Sequence, residues 1–219
     1  MVYNKIIAIL PLFFIELAAV VSLLSFRDNF PVSLKRLSIV WLFMFAVEIA
    51  GHITGIMHLR NFWLYNLFDI IFLLSLASIY YYLIKSRMVK VIIRIFCIAF
   101  PLFGAVNIIF IQKLVDYNSL NYVCGGAFMV LLAAAYFWQL YASEETERIT
   151  RDPFFWFSTG FLVYFGFTIP YLGMYNWLVE NYLDFTKFYQ RYIYVFFSIM
   201  LNILITVGFL CRKSYPKTY

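Results

Sequence analysis

The sequence predicts an all-α fold, a polytopic bundle of seven transmembrane helices forming a single membrane domain over residues 1–219. Two features of composition support this prediction: 64% of the residues are hydrophobic and only 13% are charged. The mean hydropathy is +0.84. A soluble domain of this length cannot bury so much apolar surface, so the composition indicates an integral membrane protein.

Long apolar runs supply the third observation. Because about 20 residues cross the hydrocarbon core of a bilayer, apolar runs of about 18 residues or more predict membrane-spanning helices. The predicted helices cover residues 6–26, 37–57, 62–84, 91–111, 122–142, 154–178 and 193–211. The pair Asp152-Pro153 is typical of a helix start, as cap and first-turn proline of the sixth helix. The runs do not alternate apolar and polar residues, so a membrane β-barrel is excluded.

The basic residues predict which way the bundle crosses the membrane, because cytoplasmic loops carry an excess of Lys and Arg. With seven helices, the two ends of the chain lie on opposite sides. The side of the N-terminus carries five of the 17 basic residues, and the other 12 lie on the side of the C-terminus. We therefore expect the N-terminus outside and the C-terminus in the cytoplasm, in a multi-pass protein of the bacterial cytoplasmic (inner) membrane. The basic excess then faces anionic membrane lipids, and nucleic acid is not an expected partner.

The tryptophans fit the same spans. Trp and Tyr are enriched at both interfaces between membrane and water. Trp41, Trp138 and Trp156 fall near predicted cytoplasmic ends, and Trp63 and Trp177 fall near predicted external ends. We expect all five to lie in interfacial belts.

Four ionisable residues fall inside predicted helices, in the outer half of the bilayer on the predicted orientation: Glu16, Glu48, His52 and Asp69. Ionisable groups at this depth cost several kcal/mol unless they are paired, hydrated or neutralised. Each of the four is therefore a candidate for a functional site.

The spacing of these residues predicts that some of them meet. Glu48 and His52 are four apart on one helix face, flanked by two glycines that let a neighbouring helix come close. Asn66 and Asp69 are three apart on the next helix, and the short connection over residues 57–62 makes the two helices antiparallel neighbours. We expect their polar faces to come together.

Two further stripes of polar residues lie at the same depth. The sixth helix carries Tyr164, Thr168, Tyr171 and Tyr175, and the seventh carries Arg191, Tyr194, Ser198 and Asn202. We predict a polar, hydrated pocket that opens outward, with Lys187 and Arg191 near its mouth to attract an anionic group. The predicted pocket residues are Glu16, Glu48, His52, Asn66, Asp69, Tyr171, Tyr175, Arg191, Ser198 and Asn202.

Other interpretations of the cluster stay open. Membrane helices also use Asn, Ser, Thr and Tyr to join neighbours, which is a purely structural role. Glu48, His52 and Asp69 are residue types that ligate a divalent metal, although their pattern is only a fragment of a metal motif. The sequence establishes no cofactor and names no catalytic residue. A zinc site of three histidines is excluded because the chain has only two.

Two aromatic-rich stretches carry a resemblance. The segments Asn61–Asn66 (NFWLYN) and Asp152–Phe165 (DPFFWFSTGFLVYF), together with Asn202 in the last helix, resemble uncharacterised small seven-helix integral membrane proteins of a type common in Bacteroidota. The resemblance covers the whole chain. It implies the seven-helix fold and an inner-membrane location, and it transfers no catalytic residue.

Three hypotheses of function follow. The first is a protein that binds or transports a small molecule, for which an anion is one candidate, or that serves as the sensor of that molecule. The second is a metal-dependent hydrolase embedded in the membrane and acting on a lipid-like substrate, with Glu48 or His52 as general base. The third is a structural or accessory subunit of a membrane complex, which requires a protein partner or a homo-oligomer.

Overall fold

The fold is a bundle of α-helices, as predicted. The computed structural model describes residues 2–27, 31–143 and 146–211, and it describes their side chains except at residues 2–9, 25, 27 and 146–148. The helices are α1 (Val2–Ser22), α2 (Leu24–Arg27), α3 (Val32–Ile56), α4 (Phe62–Leu83), α5 (Arg87–Val106), α6 (Ser119–Tyr141), α7 (Pro153–Gly173), α8 (Tyr175–Asn181), α9 (Leu183–Phe188) and α10 (Val195–Leu210).

Three shorter helical segments join these elements. A 3₁₀ turn covers Thr146–Arg151 before α7. A π-helical turn over Asn107–Ile111 continues α5, and a second one over Tyr189–Tyr194 joins α9 to α10. Pro153 occupies the first turn of α7, and the Asp152 carboxylate accepts a hydrogen bond from the Phe154 amide, so the predicted helix start is confirmed.

Six helices form a closed ring. In order around the ring, α1 packs on α3, α3 on α4, α4 on α6, α6 on α7, α7 on α10, and α10 returns to α1. The fifth helix packs mainly against the outside of α4. The predicted contact between the helices on either side of residues 57–62 is thus present as the α3–α4 pair. The ring arrangement encloses an interior between the helices.

The chain is a multi-pass membrane protein. Within its described residues, six helical stretches are long and apolar enough to cross a membrane, and Leu10–Ser22 of α1 is a shorter apolar helix. The helix ends differ from prediction by several residues at several places; α3, for example, begins at Val32 rather than residue 37. The sixth predicted span stops at Gly173, where α8 begins a separate short helix, and the last helical stretch begins at Leu183 rather than residue 193.

One tryptophan lies in the core and not at an interface, which corrects the prediction of five interfacial residues. Trp41 of α3 is fully buried, and its indole N–H donates to Asn202 Oδ1 of α10 at 3.0 Å. A buried indole N–H needs an acceptor, and Asn202 supplies it. Trp63, Trp138 and Trp177 are exposed on the surface of the bundle.

Candidate functional site

A cavity of about 370 Å³ lies inside the ring, in the half of the bundle that contains the α3–α4 turn. All six ring helices except α1 contribute to its described lining. The described lining residues are Met44, Glu48, Asn61, Phe62, Tyr65, Phe68, Asp69, Phe72, Leu73, Tyr117, Tyr122, Tyr164, Phe165, Tyr171, Leu172, Tyr175, Gln190, Tyr194, Ser198 and Leu201. The size lies in the range of small-molecule binding sites.

Two carboxyl groups face this cavity from neighbouring helices. Glu48 extends from α3 and Asp69 from α4. The Tyr65 hydroxyl donates a hydrogen bond to Glu48 Oε2 at 3.3 Å, longer than the roughly 2.5–3.0 Å usual for an O–H···O bond. No described group donates a hydrogen bond to the Asp69 carboxylate. One acid is thus weakly held and the other is open to a ligand or to water.

A glycine makes room for the tyrosine that contacts Glu48. A Cβ placed on Gly51 would collide with the tip of the Tyr65 side chain, whereas a Cβ on Gly55 would meet no atom. Because Gly51 has no side chain, the Tyr65 hydroxyl can pack against α3 one turn from Glu48. The neighbouring Gly55 has no such duty.

Aromatic rings make up most of the remaining lining. Seven tyrosines and four phenylalanines face the cavity among its described residues. The rings of Tyr117 and Tyr175 lie 5.2 Å apart between centroids, and Phe62 lies 6.3 Å from each, so three rings form one corner. On the other side Tyr122 packs on Phe165 at 5.9 Å.

The Asn66 side chain forms hydrogen bonds outside the cavity, to the connection between α5 and α6. Its Nδ2 donates to the carbonyls of Leu114 at 2.9 Å and Asp116 at 2.7 Å, and its Oδ1 accepts from the Asn118 amide at 3.0 Å. These bonds fasten the connection between α5 and α6, which carries Tyr117. Asn66 is 1% exposed and is absent from the described lining, so it positions a lining residue indirectly.

The structure brings together half of the predicted pocket residues. Glu48, Asp69, Tyr171, Tyr175 and Ser198 all line the cavity. The other five lie elsewhere.

Two of these five belong to α1 and α3. Glu16 is exposed on the outer surface of α1, away from the described lining. His52 lies in a separate cleft between α1, α3 and α10, which Glu48, Tyr65, Tyr194 and Ser198 also line. These four shared side chains form the wall between cavity and cleft. Glu48 and His52 therefore face the same space, although no hydrogen bond joins them among the described contacts.

The predicted cations lie outside the cavity, next to or within the π-helical turn. A π-helix has a wider turn than an α-helix, which shifts the register of the residues inside it. Gln190, Tyr194 and Ser198 face the cavity at steps of four, and Arg191 is exposed outside the described lining. Lys187 is exposed too, with its Nζ 3.9 Å from Asp184 Oδ1.

The last predicted residue, Asn202, is a structural tie. Its Oδ1 accepts from Trp41, and its Nδ2 donates to the Ser198 carbonyl at 2.8 Å. It is fully buried one turn beyond the cavity. Both polar groups of its side chain are therefore used within the protein.

The candidate metal ligands do not form a cluster. Among the residues that the structure describes, no group of three or more His, Cys, Asp or Glu side chains is placed to hold a metal ion. Glu48 and Asp69 share the cavity, while His52 faces the cleft.

Sequence reasoning missed Tyr65, which donates a hydrogen bond to Glu48, and Tyr117, whose side chain lines the cavity. Tyr65 is four residues before Asp69, a spacing that places both on one face of α4. That signal was available in the sequence. Tyr117 lies in a connection, and no helical period could have indicated it.

Comparisons with known proteins do not assign a family. The chain matches no protein-family model, no curated protein and no solved structure. The resemblance to small membrane proteins of Bacteroidota stays a prediction.

Proposed function

We propose that the protein binds a small molecule in the cavity and carries it across the bacterial cytoplasmic membrane. The observation that supports this proposal is the pair of acids, Glu48 and Asp69, facing one cavity inside the helical ring. A carboxyl group at membrane depth is costly, and it is retained where it meets a substrate, an ion, a proton or water.

A comparison with the structural polar groups supports a ligand site over a purely structural network. Asn66 and Asn202 use both ends of their amides within the protein. The Tyr122 hydroxyl is likewise hydrogen-bonded to Thr168 Oγ1 at 2.6 Å. Asp69 has no such donor among the described residues. Asn66, Asn202 and Tyr122 are thus hydrogen-bonded within the protein, whereas no described donor reaches the Asp69 carboxylate.

The cleft offers a route by which a small molecule could reach the cavity. Cavity and cleft are divided by the side chains of Glu48, Tyr65, Tyr194 and Ser198, a wall one residue thick. Rotation of the Tyr65 side chain would join the two spaces. A molecule could then pass between the cleft, which reaches the edge of the bundle at α1, and the cavity. On the predicted orientation, both spaces lie in the outer half of the bilayer.

A screen of small molecules for thermal stabilisation tests this proposal. A ligand that binds only the folded state raises its stability by about 2.7 kcal/mol at a concentration of 100 times Kd. We would compare the wild type with Ser198→Phe, which fills the cavity from α10, and with Ile203→Phe on the outward face of the same helix, where Ile203 is 42% exposed.

The expected result is a compound that stabilises the wild type and Ile203→Phe and fails to stabilise Ser198→Phe. Uptake of that compound into proteoliposomes would then establish transport. If every stabilising compound acts equally on all three proteins, the cavity is not the binding site and the proposal is wrong.

A further inference from the structure

The ionisable acidic and basic side chains in the described lining of the cavity are all acidic. Its described lining includes two acids and no Lys, Arg or His. Four basic residues described at this end of the bundle, Arg60, Lys113, Lys187 and Arg191, are all exposed. Acids in a medium of low dielectric constant need a positive partner or a proton, because their mutual repulsion is weakly screened there. The described lining supplies no positive partner.

The aromatic lining also favours a positively charged ligand. The face of a tyrosine or phenylalanine ring carries negative potential, and it attracts ammonium groups within about 6 Å of the ring centre. Phe62, Tyr117 and Tyr175 form a corner of such rings, and the phenol of Tyr65 lies beside Glu48. Rings combined with carboxylates are the chemistry that recognises organic ammonium ions, including quaternary ones.

We infer that the ligand of this cavity is a small organic cation, an alkyl- or aryl-ammonium ion, held by Glu48 and Asp69 and enclosed by the aromatic lining. The inference rests on the proposed function and specifies its substrate class. It replaces the expectation of an anionic ligand. That expectation placed Lys187 and Arg191 at the mouth, whereas both residues are exposed and absent from the described lining.

Matched ligands that differ in charge test the inference. The first set is tetramethylammonium, tert-butanol and pivalate, and the second is benzylammonium, benzyl alcohol and benzoate. Members of a set are similar in size and shape. Binding to the purified full chain would be measured by calorimetry and by thermal shift in detergent.

We expect each cation to bind at least about tenfold more tightly than its neutral partner, which corresponds to about 1.4 kcal/mol, and the anions to bind most weakly. The double variant Glu48→Gln, Asp69→Asn should lose this preference. Glu16→Gln is the matched control, because it removes an exposed acid outside the cavity, and it should keep the preference. Elution of each variant as a single species in size-exclusion chromatography shows that it is folded.

The outcomes separate the two proposals. Alcohols that bind as tightly as the cations, or anions that bind more tightly, would overturn the inference and leave a small-molecule site in place. If compounds from the broader screen occupy the cavity and neither ammonium ion binds, the inference again fails alone. If nothing occupies the cavity in either experiment, the proposed function fails with it.

Discussion

The Tyr65 hydroxyl donates a hydrogen bond to Glu48 Oε2 at 3.3 Å, across the interface between α3 and α4. This contact is part of the wall between the cavity and the cleft that contains His52, because both residues line both spaces. It is also the described hydrogen bond of the Glu48 side chain. The pair therefore contributes to the packing of α3 on α4, to the boundary between the two spaces and to the lining of the cavity.

Removing that hydroxyl should weaken ligand binding. Tyr65→Phe keeps the ring and deletes the donor to Glu48, and a hydrogen bond of ordinary strength contributes about 1 kcal/mol net. We expect the affinity for tetramethylammonium to fall severalfold, measured by calorimetry. Tyr175→Phe is the control, since the Tyr175 hydroxyl makes no hydrogen bond among the described residues. Equal losses in the two variants would show that the Glu48 contact has no part in binding.

Gly51→Ala should destabilise the protein more than Gly55→Ala. The new methyl group at residue 51 collides with Tyr65, and overpacking of this kind costs about 1–3 kcal/mol. At residue 55 the methyl group meets open space, and thermal unfolding should be nearly unchanged. Shortening the partner with Tyr65→Leu should restore part of the stability of Gly51→Ala, which a double-mutant cycle measures. A purely additive cycle would contradict the proposed contact.

Asn66→Ala should affect the site from a distance. The variant removes three hydrogen bonds that fasten the α5–α6 connection, each net contribution being about 1 kcal/mol. We expect faster amide exchange around Tyr117 and weaker ammonium binding, although Asn66 does not line the cavity. Asn181→Ala is the control, because Asn181 is exposed and its described hydrogen bond goes to the Trp177 carbonyl of its own helix. Unchanged exchange around Tyr117 in Asn66→Ala would disprove the positioning role.

The helices were predictable from the sequence because the bilayer fixes their length. The α3–α4 contact was predictable too, since a short connection leaves no other neighbour. Glu48 and Asp69 were selected because acids at membrane depth are costly. Their presence in one cavity follows from that contact and from helical spacing.

Other features required the three-dimensional structure. Gln190 lines the cavity in place of Arg191, and helical spacing alone could not choose between them because they precede Tyr194 by four and three residues. Trp41 and Asn202 are 161 residues apart in the sequence, so their hydrogen bond depends on how the ring closes. The outward face of Glu16 likewise depends on how α1 packs between α3 and α10.

The most direct test of the account is the reactivity of a cysteine placed in the cavity. Ser198→Cys would be made after replacing the native Cys97, Cys124 and Cys211, with Ile203→Cys on the outward face of α10 as control. Intact cells would be treated from outside with two methanethiosulfonates, one carrying trimethylammonium and one carrying sulfonate. Each rate would be normalised to the reaction with a free thiol in solution.

The account predicts that Ser198→Cys reacts with both reagents faster than Ile203→Cys does. It also predicts that the cationic reagent reacts at least about tenfold faster than the anionic one, because two carboxyl groups face the same space. Adding Asp69→Asn should reduce that ratio. If Ser198→Cys reacts no faster than Ile203→Cys with either reagent, there is no ligand-accessible cavity, and the central claim is contradicted.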